Sequence, residues 1–300
     1  ELLGKPADAR QYRQDYEERK SFFNATFVSP EKRTLGIPSR GFGGGGGQAK
    51  PEFRLADTQS SYAVGLALGV FSEDNVPHMA KRLAETVERE NRDDDGAVLP
   101  PYSLMTGFIG TAWISKALSQ HGYTAHAYRL LQATHFPSWL YPVEQGATTI
   151  WERLNGYTIE RGFGGNNSMN SFNHYSFGAV GQWMIAHCLG IERAEPGFRR
   201  FILQPEPDPT GQMTWAGGHY DSPYGTIRSA WRVEDGWLVY RASVPANTTA
   251  TLYLPASAVE SVTEGGRDAR KAEGVTLLRF ENGKALYLLV SGDYEFRARL

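Results

Sequence analysis

Asp57-Thr58-Gln59-Ser60-Ser61-Tyr62-Ala63-Val64-Gly65-Leu66-Ala67-Leu68-Gly69 reads, from Ser61 onward, as a helix of small and apolar residues with no polar face. A helix apolar nearly all round belongs in an interior. The next segment, Val76 to Asn91, has another pattern. Met79, Leu83 and Val87 share one face, and Lys81, Arg82, Glu85, Glu88 and Arg89 lie elsewhere, as on an outer helix. The two are expected to pair as an inner–outer hairpin. Beyond the polar break Arg92-Asp93-Asp94-Asp95-Gly96 the alternation repeats, with Thr106 to His121 rather apolar and Thr124 to Thr134 more mixed.

Upstream, Tyr12, Tyr16, Phe22, Phe23 and Phe27 are spaced among charged residues as on an amphipathic helix from Leu2 to Phe27, which Pro30 helps to end. The run Gly41-Phe42-Gly43-Gly44-Gly45-Gly46-Gly47 is expected to be a flexible surface loop. No Lys-Ser or Lys-Thr follows it, so a phosphate-cradling role is weakly supported. Downstream, a last helical stretch runs from Asn170 to Leu189, with Gly190 as its stop.

After Pro196 the pattern changes to short segments rich in β-branched and aromatic residues: Ile227 to Trp231, Trp237 to Val244, Thr249 to Leu254, Thr276 to Phe280 and Leu286 to Ser291. Turns such as Glu234-Asp235-Gly236 and Glu281-Asn282-Gly283 divide them. The expected architecture is α plus β and multidomain. Residues 1–195 supply part of an α/α toroid, and residues 196–300 an antiparallel β-sandwich. Six helical segments make about three hairpins, and half a toroid cannot cover its own inner helices. The rest is therefore expected from elsewhere in a longer chain or from a partner, as is also suggested by the opening Glu1-Leu2-Leu3, which reads as a helix interior.

Composition narrows the function. The 300 residues are 41% hydrophobic and 12% aromatic, enough for a sizeable core. With 31 Lys and Arg against 33 Asp and Glu, the net charge of -2 offers no basic field for a phosphate backbone, so nucleic acid is not an expected partner. No apolar run is long enough to span a bilayer and no signal-peptide pattern occurs at Glu1 to Arg13. A soluble protein without a membrane partner is expected, its compartment, cytoplasm or periplasm, being unassigned by these residues. The single Cys188 lies in an apolar helical stretch and reads as a buried thiol. His78, His121, His126, His135, His187 and His219 have no zinc-type spacing, and no Gly-x-Ser-x-Gly elbow is present. Neither a metal nor another cofactor is expected.

Between Phe136 and His174 the chain concentrates Trp139, Tyr141, Thr148, Thr149, Trp151, Glu152, Asn166, Asn167, Asn170, Asn173 and His174. Sugars present apolar C–H faces to aromatic rings and hydroxyl rims to amides and carboxylates, so this composition suits a carbohydrate site. A buried aromatic core accounts for Trp139 or Trp151 equally well. Glu152 follows the apolar run Thr148-Thr149-Ile150-Trp151, where a carboxylate is costly unless it is partnered or used. A structural pair with Arg153 is the plainer explanation. His174 alone reads as a satisfied core or helix-start histidine. Asp57, beside Gln59, is a second acidic candidate, with helix capping as its ordinary role.

Taken in order, Gly146-Ala147-Thr148-Thr149-Ile150-Trp151-Glu152-Arg153, Met169-Asn170-Ser171-Phe172-Asn173-His174-Tyr175 and Gly178-Ala179-Val180-Gly181-Gln182-Trp183 resemble the signature of the bacterial α-L-rhamnosidases of glycoside hydrolase family 78. Flanking agreement comes from Asp57-Thr58-Gln59, Thr106-Gly107-Phe108-Ile109-Gly110-Thr111, Pro137-Ser138-Trp139-Leu140-Tyr141 and Tyr220-Asp221-Ser222-Pro223-Tyr224-Gly225. The resemblance implies the C-terminal half of an (α/α)6 catalytic barrel followed by a β-sandwich. It also implies inverting hydrolysis of rhamnose-containing glycosides, in which a general acid and a carboxylate base stand about 6.5–9.5 Å apart. Glu152 matches the family's base. Trp151 and His174 match sugar-pocket positions, with Asp57, Gln59, Trp139 and Asn173 as further contributors.

Two departures accompany the resemblance. The family's acid lies in an Asp-Cys-Pro-x-Arg-Glu-type segment that is absent from these residues, so the usual proton donor is expected from upstream sequence. The usual Asn-Gly-His-Leu-Thr-Thr-Gly-Phe approach is replaced by a longer one, Asp95 to Phe108, without the histidine. The other readings are a carbohydrate-binding or scaffold protein that keeps the pocket without an acid–base pair, and an α/α-barrel polysaccharide lyase that moves protons with Tyr and His.

Overall fold

The computed structural model describes residues 3–29, 31, 33–38, 53–93, 95–164 and 168–300; the glycine run Gly41–Gly47 and the amides Asn166 and Asn167 lie outside the described residues. The chain divides into two compact units, Glu1–Gly178 and Ala179–Leu300.

The first unit is helical. It comprises α1 (Pro6–Phe27), a two-stranded ribbon of β1 (Gly36–Pro38) and β2 (Phe53–Leu55), α2 (Gln59–Ala67), α3 (Val76–Glu88), a second ribbon of β3 (Asn91–Arg92) and β4 (Val98–Leu99), α4 (Gly107–Gln120), α5 (Thr124–Gln132) and the single turn α6 (Tyr141–Glu144). The inner–outer alternation is observed. On α2, Tyr62, Ala63, Gly65 and Leu66 are buried. On α3 the buried face holds Met79, Leu83 and Val87, with Lys81 and Arg82 pairing with Glu85 at its surface.

Small residues let α2 approach its neighbours. A Cβ on Gly65 would stand 2.4 Å from the Phe71 ring, and one on Gly110 of α4 would stand 2.3 Å from Ser60 Oγ, which itself donates to Thr106 O at 2.6 Å. Close packing of this kind excludes water and any added methyl group. Gln59, 2% exposed at the first turn of α2, ties the helix to the chain around it. Its Nε2 donates to Ser103 O at 2.9 Å and Thr86 O at 3.3 Å, and its Oε1 accepts from Met105 N at 2.8 Å.

Helix α1 has no buried residue. Polar links hold it. Tyr16 OH donates to Gly69 O at 2.7 Å, Asn24 Nδ2 donates to Val70 O at 2.8 Å, and Asn24 Oδ1 accepts from Ser72 N at 2.9 Å. Apolar side chains remain uncovered elsewhere in this unit, among them Ile109, 77% exposed, and Tyr175, 85% exposed.

The segment expected to be helical from Asn170 to Leu189 is shorter and irregular. Residues 170–175 are loop, a 3-10 turn covers Ser176–Ala179, and one α turn, α7 (Val180–Trp183), passes into a π turn at Met184–Cys188. The loop backbone is drawn into pairing with the segment before Trp151, which a helix could not satisfy. Cys188 is buried, and its carbonyl accepts from Trp231 Nε1 at 2.8 Å.

The second unit holds two sheets. One has five strands in the order β13-β14-β10-β6-β5: β5 (Ile191–Arg193), β6 (Arg200–Leu203), β10 (Thr249–Pro255), β13 (Val275–Glu281) and β14 (Lys284–Leu289). The other has six in the order β12-β11-β15-β9-β8-β7: β7 (Trp215–Ser222), β8 (Gly225–Glu234), β9 (Trp237–Val244), β11 (Thr263–Glu264), β12 (Arg267–Asp268) and β15 (Gly292–Arg299). All pairings are antiparallel except β6 with β10. Alternation sends Ile227, Trp231, Leu238, Tyr240 and Phe296 inward from the larger sheet, and Leu203, Leu252, Leu254 and Tyr287 from the smaller. Tyr287 and Phe296 stack at 5.7 Å. Strands β5, β6, β7, β11, β12 and β15 add to the five expected from sequence. No described helix is long and apolar enough to cross a membrane.

Replacing Gln59 by Leu leaves Ser103 O and Met105 N without this partner, while Thr86 O keeps Asn91 Nδ2 at 3.1 Å, and is expected to cost about 2–3 kcal/mol of stability. Gly190→Ala is expected to cost at least as much, because Gly190 has φ +74° and a Cβ would lie 2.0 Å from the Gln204 carbonyl carbon. Urea-unfolding midpoints of the two variants check both; a shift within error of wild type would refute the corresponding contact.

Candidate functional site

Glu152 stands in a loop whose backbone pairs with a second loop. Glu152 N donates to Ser171 O at 2.8 Å, His174 N donates to Ile150 O at 2.8 Å, and Thr149 Oγ1 donates to Phe172 O. These bonds set residues 149–152 alongside 171–174, so Glu152, Trp151, Asn173 and His174 come together although about twenty positions separate the two runs. Buried backbone groups need such partners, and here each loop supplies them for the other.

The carboxylate is half-buried. Its Oε2 accepts from Ser171 N at 2.8 Å. Among the described residues Oε1 has no hydrogen-bond partner and Glu152 forms no ion pair, so the expected alternative, a structural pair with Arg153, is not formed. A carboxylate held at one oxygen and open at the other is oriented but still able to accept from water or a hydroxyl.

Trp151 is 6% exposed and forms the base of an aromatic cluster. Phe172 meets it edge-on at 5.0 Å, Tyr157 lies at 6.3 Å, and Phe163 closes the group at 5.2 Å from Tyr157 and 5.6 Å from Phe172. Such packing fixes the backbone on which Glu152 stands. On the other loop His174 lies between Phe108, at 4.8 Å, and Tyr175, at 5.5 Å, both stacked on it. Its Nδ1 accepts from Ser176 N at 3.4 Å. A neutral ring in that arrangement carries its proton on Nε2. Asn173 is exposed.

The remaining expected residues are engaged with the chain itself. Trp139, 9% exposed, donates from Nε1 to Phe177 O at 2.9 Å, and Phe177 packs on Phe108 at 5.5 Å. It thus supports the His174 stack from below. Asp57 accepts from Tyr62 OH at 2.7 Å through Oδ1 and from Arg89 Nη1 at 2.5 Å through Oδ2. Burial first, and then the hydrogen bond and charge of Asp57, push the Tyr62 hydroxyl well above the usual phenol range. The amide of Gln59 is fully engaged as described above. Among the described residues neither Asp57 nor Gln59 shares a hydrogen bond or ring contact with the paired loops.

Phe108 was not singled out from the sequence as a site residue. The signal was its place in Thr106-Gly107-Phe108, the first turn of an inner helix, where Gly107 at φ +54° starts the helix and leaves the ring 41% exposed. A cavity of about 690 Å³ opens beside the following loop, bounded by Phe136, Tyr141, Gln145, Arg153, Glu160 and Phe163 among others. Glu152, Trp151 and His174 do not line it.

Comparison with known proteins gives the family of the chain. Residues 1–188 match the model of the bacterial alpha-L-rhamnosidase 6 hairpin glycosidase domain, and residues 190–269 that of the bacterial alpha-L-rhamnosidase C-terminal domain. An alpha-L-rhamnosidase of Formosa agariphila is 32% identical over 300 residues, covering 100% of this chain and 29% of the relative. One of Streptomyces avermitilis is 35% identical over 242 residues, covering 80% of this chain and 21% of the relative. Among solved structures, the Streptomyces avermitilis alpha-L-rhamnosidase complexed with L-rhamnose superposes with a TM-score of 0.77 at 31% identity, over 97% of this chain and 24% of that one. The alpha-L-rhamnosidase of Dictyoglumus thermophilum gives 0.77 at 28% identity, over 100% of this chain and 30% of that one. The chain thus spans less than a third of the length of these relatives. With residues 1–188 and 190–269 covered by these two models, the chain belongs to the bacterial α-L-rhamnosidase family, matching its six-hairpin glycosidase domain and its C-terminal domain.

Proposed function

We propose that the complete enzyme to which this chain belongs removes terminal α-L-rhamnose from rhamnosides by an inverting acid/base mechanism, with Glu152 as the general base. The observation that carries this reading is the state of that carboxylate: half-buried, pinned through Oε2 by the Ser171 amide, and open at Oε1. Oε1 is the atom that takes a proton from water while the water oxygen attacks the anomeric carbon. A general acid protonates the departing glycosidic oxygen from the opposite face, about 6.5–9.5 Å away, which leaves room for the water. That acid comes from sequence outside these residues.

The other residues have graded roles in this proposal. His174, held by Phe108 and Tyr175 and presenting Nε2–H, donates to a sugar hydroxyl. Asn173 supplies an exposed amide to the same rim. Trp151 orients Glu152 through its aromatic cluster. Trp139, Asp57 and Gln59, whose polar atoms are hydrogen-bonded to the chain, hold these elements in place and shape the pocket. The rest of the same enzyme covers the exposed Ile109 and Tyr175 and closes the barrel over the sugar; the threefold greater length of the relatives supports this.

In the complete enzyme, Glu152→Gln is expected to lower kcat on an aryl α-L-rhamnoside by about 10²- to 10⁴-fold, with an unchanged circular-dichroism spectrum. Near-normal turnover would remove Glu152 from the mechanism. The 300-residue chain alone is expected to show little or no hydrolysis of the same substrate, and a robust rate would reveal an acid within these residues.

A further inference from the structure

Asn170, the residue before Ser171, closes a circuit around the candidate base. Directly after Glu152 the chain makes a tight turn in which Gly156 N donates to Arg153 O at 2.9 Å. Asn170 reaches back fourteen positions to that turn, and its Nδ2 donates to Gly156 O at 2.9 Å. The next residue, Ser171, donates from its N–H to Glu152 Oε2 at 2.8 Å, and its carbonyl accepts from Glu152 N at 2.8 Å. Glu152, the turn, Asn170 and Ser171 therefore form one ring of covalent and hydrogen bonds, in which the Asn170 amide is the link to the turn.

Three costly features accompany this link. The Asn170 Oδ1 atom is buried and has no hydrogen-bond partner among the described residues, although a buried acceptor without a partner is unfavourable. Exchanging the two ends of the amide would not relieve it, because Oδ1 would then meet Gly156 O, acceptor against acceptor. Just before it, Met169 adopts φ +48°, a left-handed conformation that disfavours a residue with a side chain. The Met169 side chain, 78% exposed, gains little packing in return. Gly156 has no room for a side chain, since a Cβ there would stand 2.1 Å from Asn170 Oδ1 and 3.1 Å from Arg153 O. Strain and unpaired polar atoms cluster where a fold gives up local stability for a function.

What the amide gains is direction for its neighbour. The planar peptide between Asn170 and Ser171 carries the N–H that holds the carboxylate, and its orientation follows the ψ angle of Asn170. Tethering Asn170 to the turn fixes that angle from one side, and the bond from Glu152 N to Ser171 O fixes the chain from the other. His174 is attached separately, by its own N–H to Ile150 O.

We propose that Asn170 is a positioning residue for the candidate base. Through the Gly156 carbonyl it aims the Ser171 N–H at Oε2 and thereby holds Oε1 where the attacking water meets it, a role that rests on Glu152 being the general base. Its loss slows the chemical step and leaves the binding of the sugar unchanged.

Kinetics of the complete enzyme on an aryl α-L-rhamnoside test the role. Asn170→Ala removes the donor, and the isosteric Asn170→Asp turns an acceptor on Gly156 O and carries the test if the first variant does not fold. Each is expected to lower kcat about 10- to 100-fold, as displacement of a reacting group by about 1 Å does. KM and the inhibition constant of free L-rhamnose are expected to stay within about twofold of wild type. In a Glu152→Gln background the same substitutions are expected to lower kcat by no more than about twofold further, since a residue acting through Glu152 has nothing left to position. A kcat within about threefold of wild type, a fall as large in the Glu152→Gln background as in the wild type, or a rise in KM with unchanged kcat would overturn the proposal. Near-normal turnover by Glu152→Gln alone would overturn the base assignment together with this role, so that one variant tells the two failures apart.

Discussion

The pairing of residues 149–152 with 171–174 through backbone hydrogen bonds is the constraint on which the candidate site depends. Each loop lacks a regular ladder of its own, and an unpaired backbone group away from water is costly. Their mutual satisfaction fixes where Trp151, Glu152, Asn173 and His174 stand. The Ser171 amide extends the same pairing onto the Glu152 carboxylate. Orientation of the acidic group is therefore a by-product of backbone satisfaction, reinforced by the edge-on rings of Phe172 and Tyr157 against Trp151. That coupling accounts for an ionisable residue directly after an apolar run.

The helical unit has a closely packed interior and an exposed apolar rim. Inside, Gln59 engages its amide with the chain around it and the small residues of α2 and α4 pack closely, while Ser115 Oγ on α4 stays without a hydrogen-bond partner among the described residues. At the rim, Phe108, Ile109 and Tyr175 retain much of their exposure. Phe108 belongs to both regions, since it caps the buried Phe177 and stacks on His174. A change at that rim would therefore be felt at the candidate site through ring contacts and without any charge.

The sandwich divides its labour between faces. Strict alternation along β8, β9 and β15 buries Ile227, Ser229, Trp231, Tyr240 and Phe296, with Ser229 and Trp231 donating to Leu189 O and Cys188 O. The same alternation forces Arg228, Ala230, Arg241 and Glu295 outward. Small side chains at Gly217 and Ala230 fall in adjacent strands at the same level, and a recess results from register alone.

Much of the architecture is legible in the residue pattern, because periodicity reports burial directly. The apolar run from Ser61 to Gly69, the one-sided Met79, Leu83 and Val87, and the alternating segments after Pro196 each carry their environment in their spacing. Strands β5, β6 and β7 were hidden because β5 and β6 are only three and four residues long and β7 contains Gly217, Gly218 and Asp221, which weaken its strand character. Residues 170–175 looked helical because composition is blind to the partner loop that claims their backbone. Sequence by itself determined which residues are inner, outer, sheet-forming and chemically apt, since those properties follow from the local order of side chains. Only tertiary structure decided that Glu152 is pinned by Ser171, that Gln59 and Asp57 are engaged with the chain, and that Phe108 reaches His174. Those facts depend on groups distant in the chain meeting within hydrogen-bond or van der Waals range.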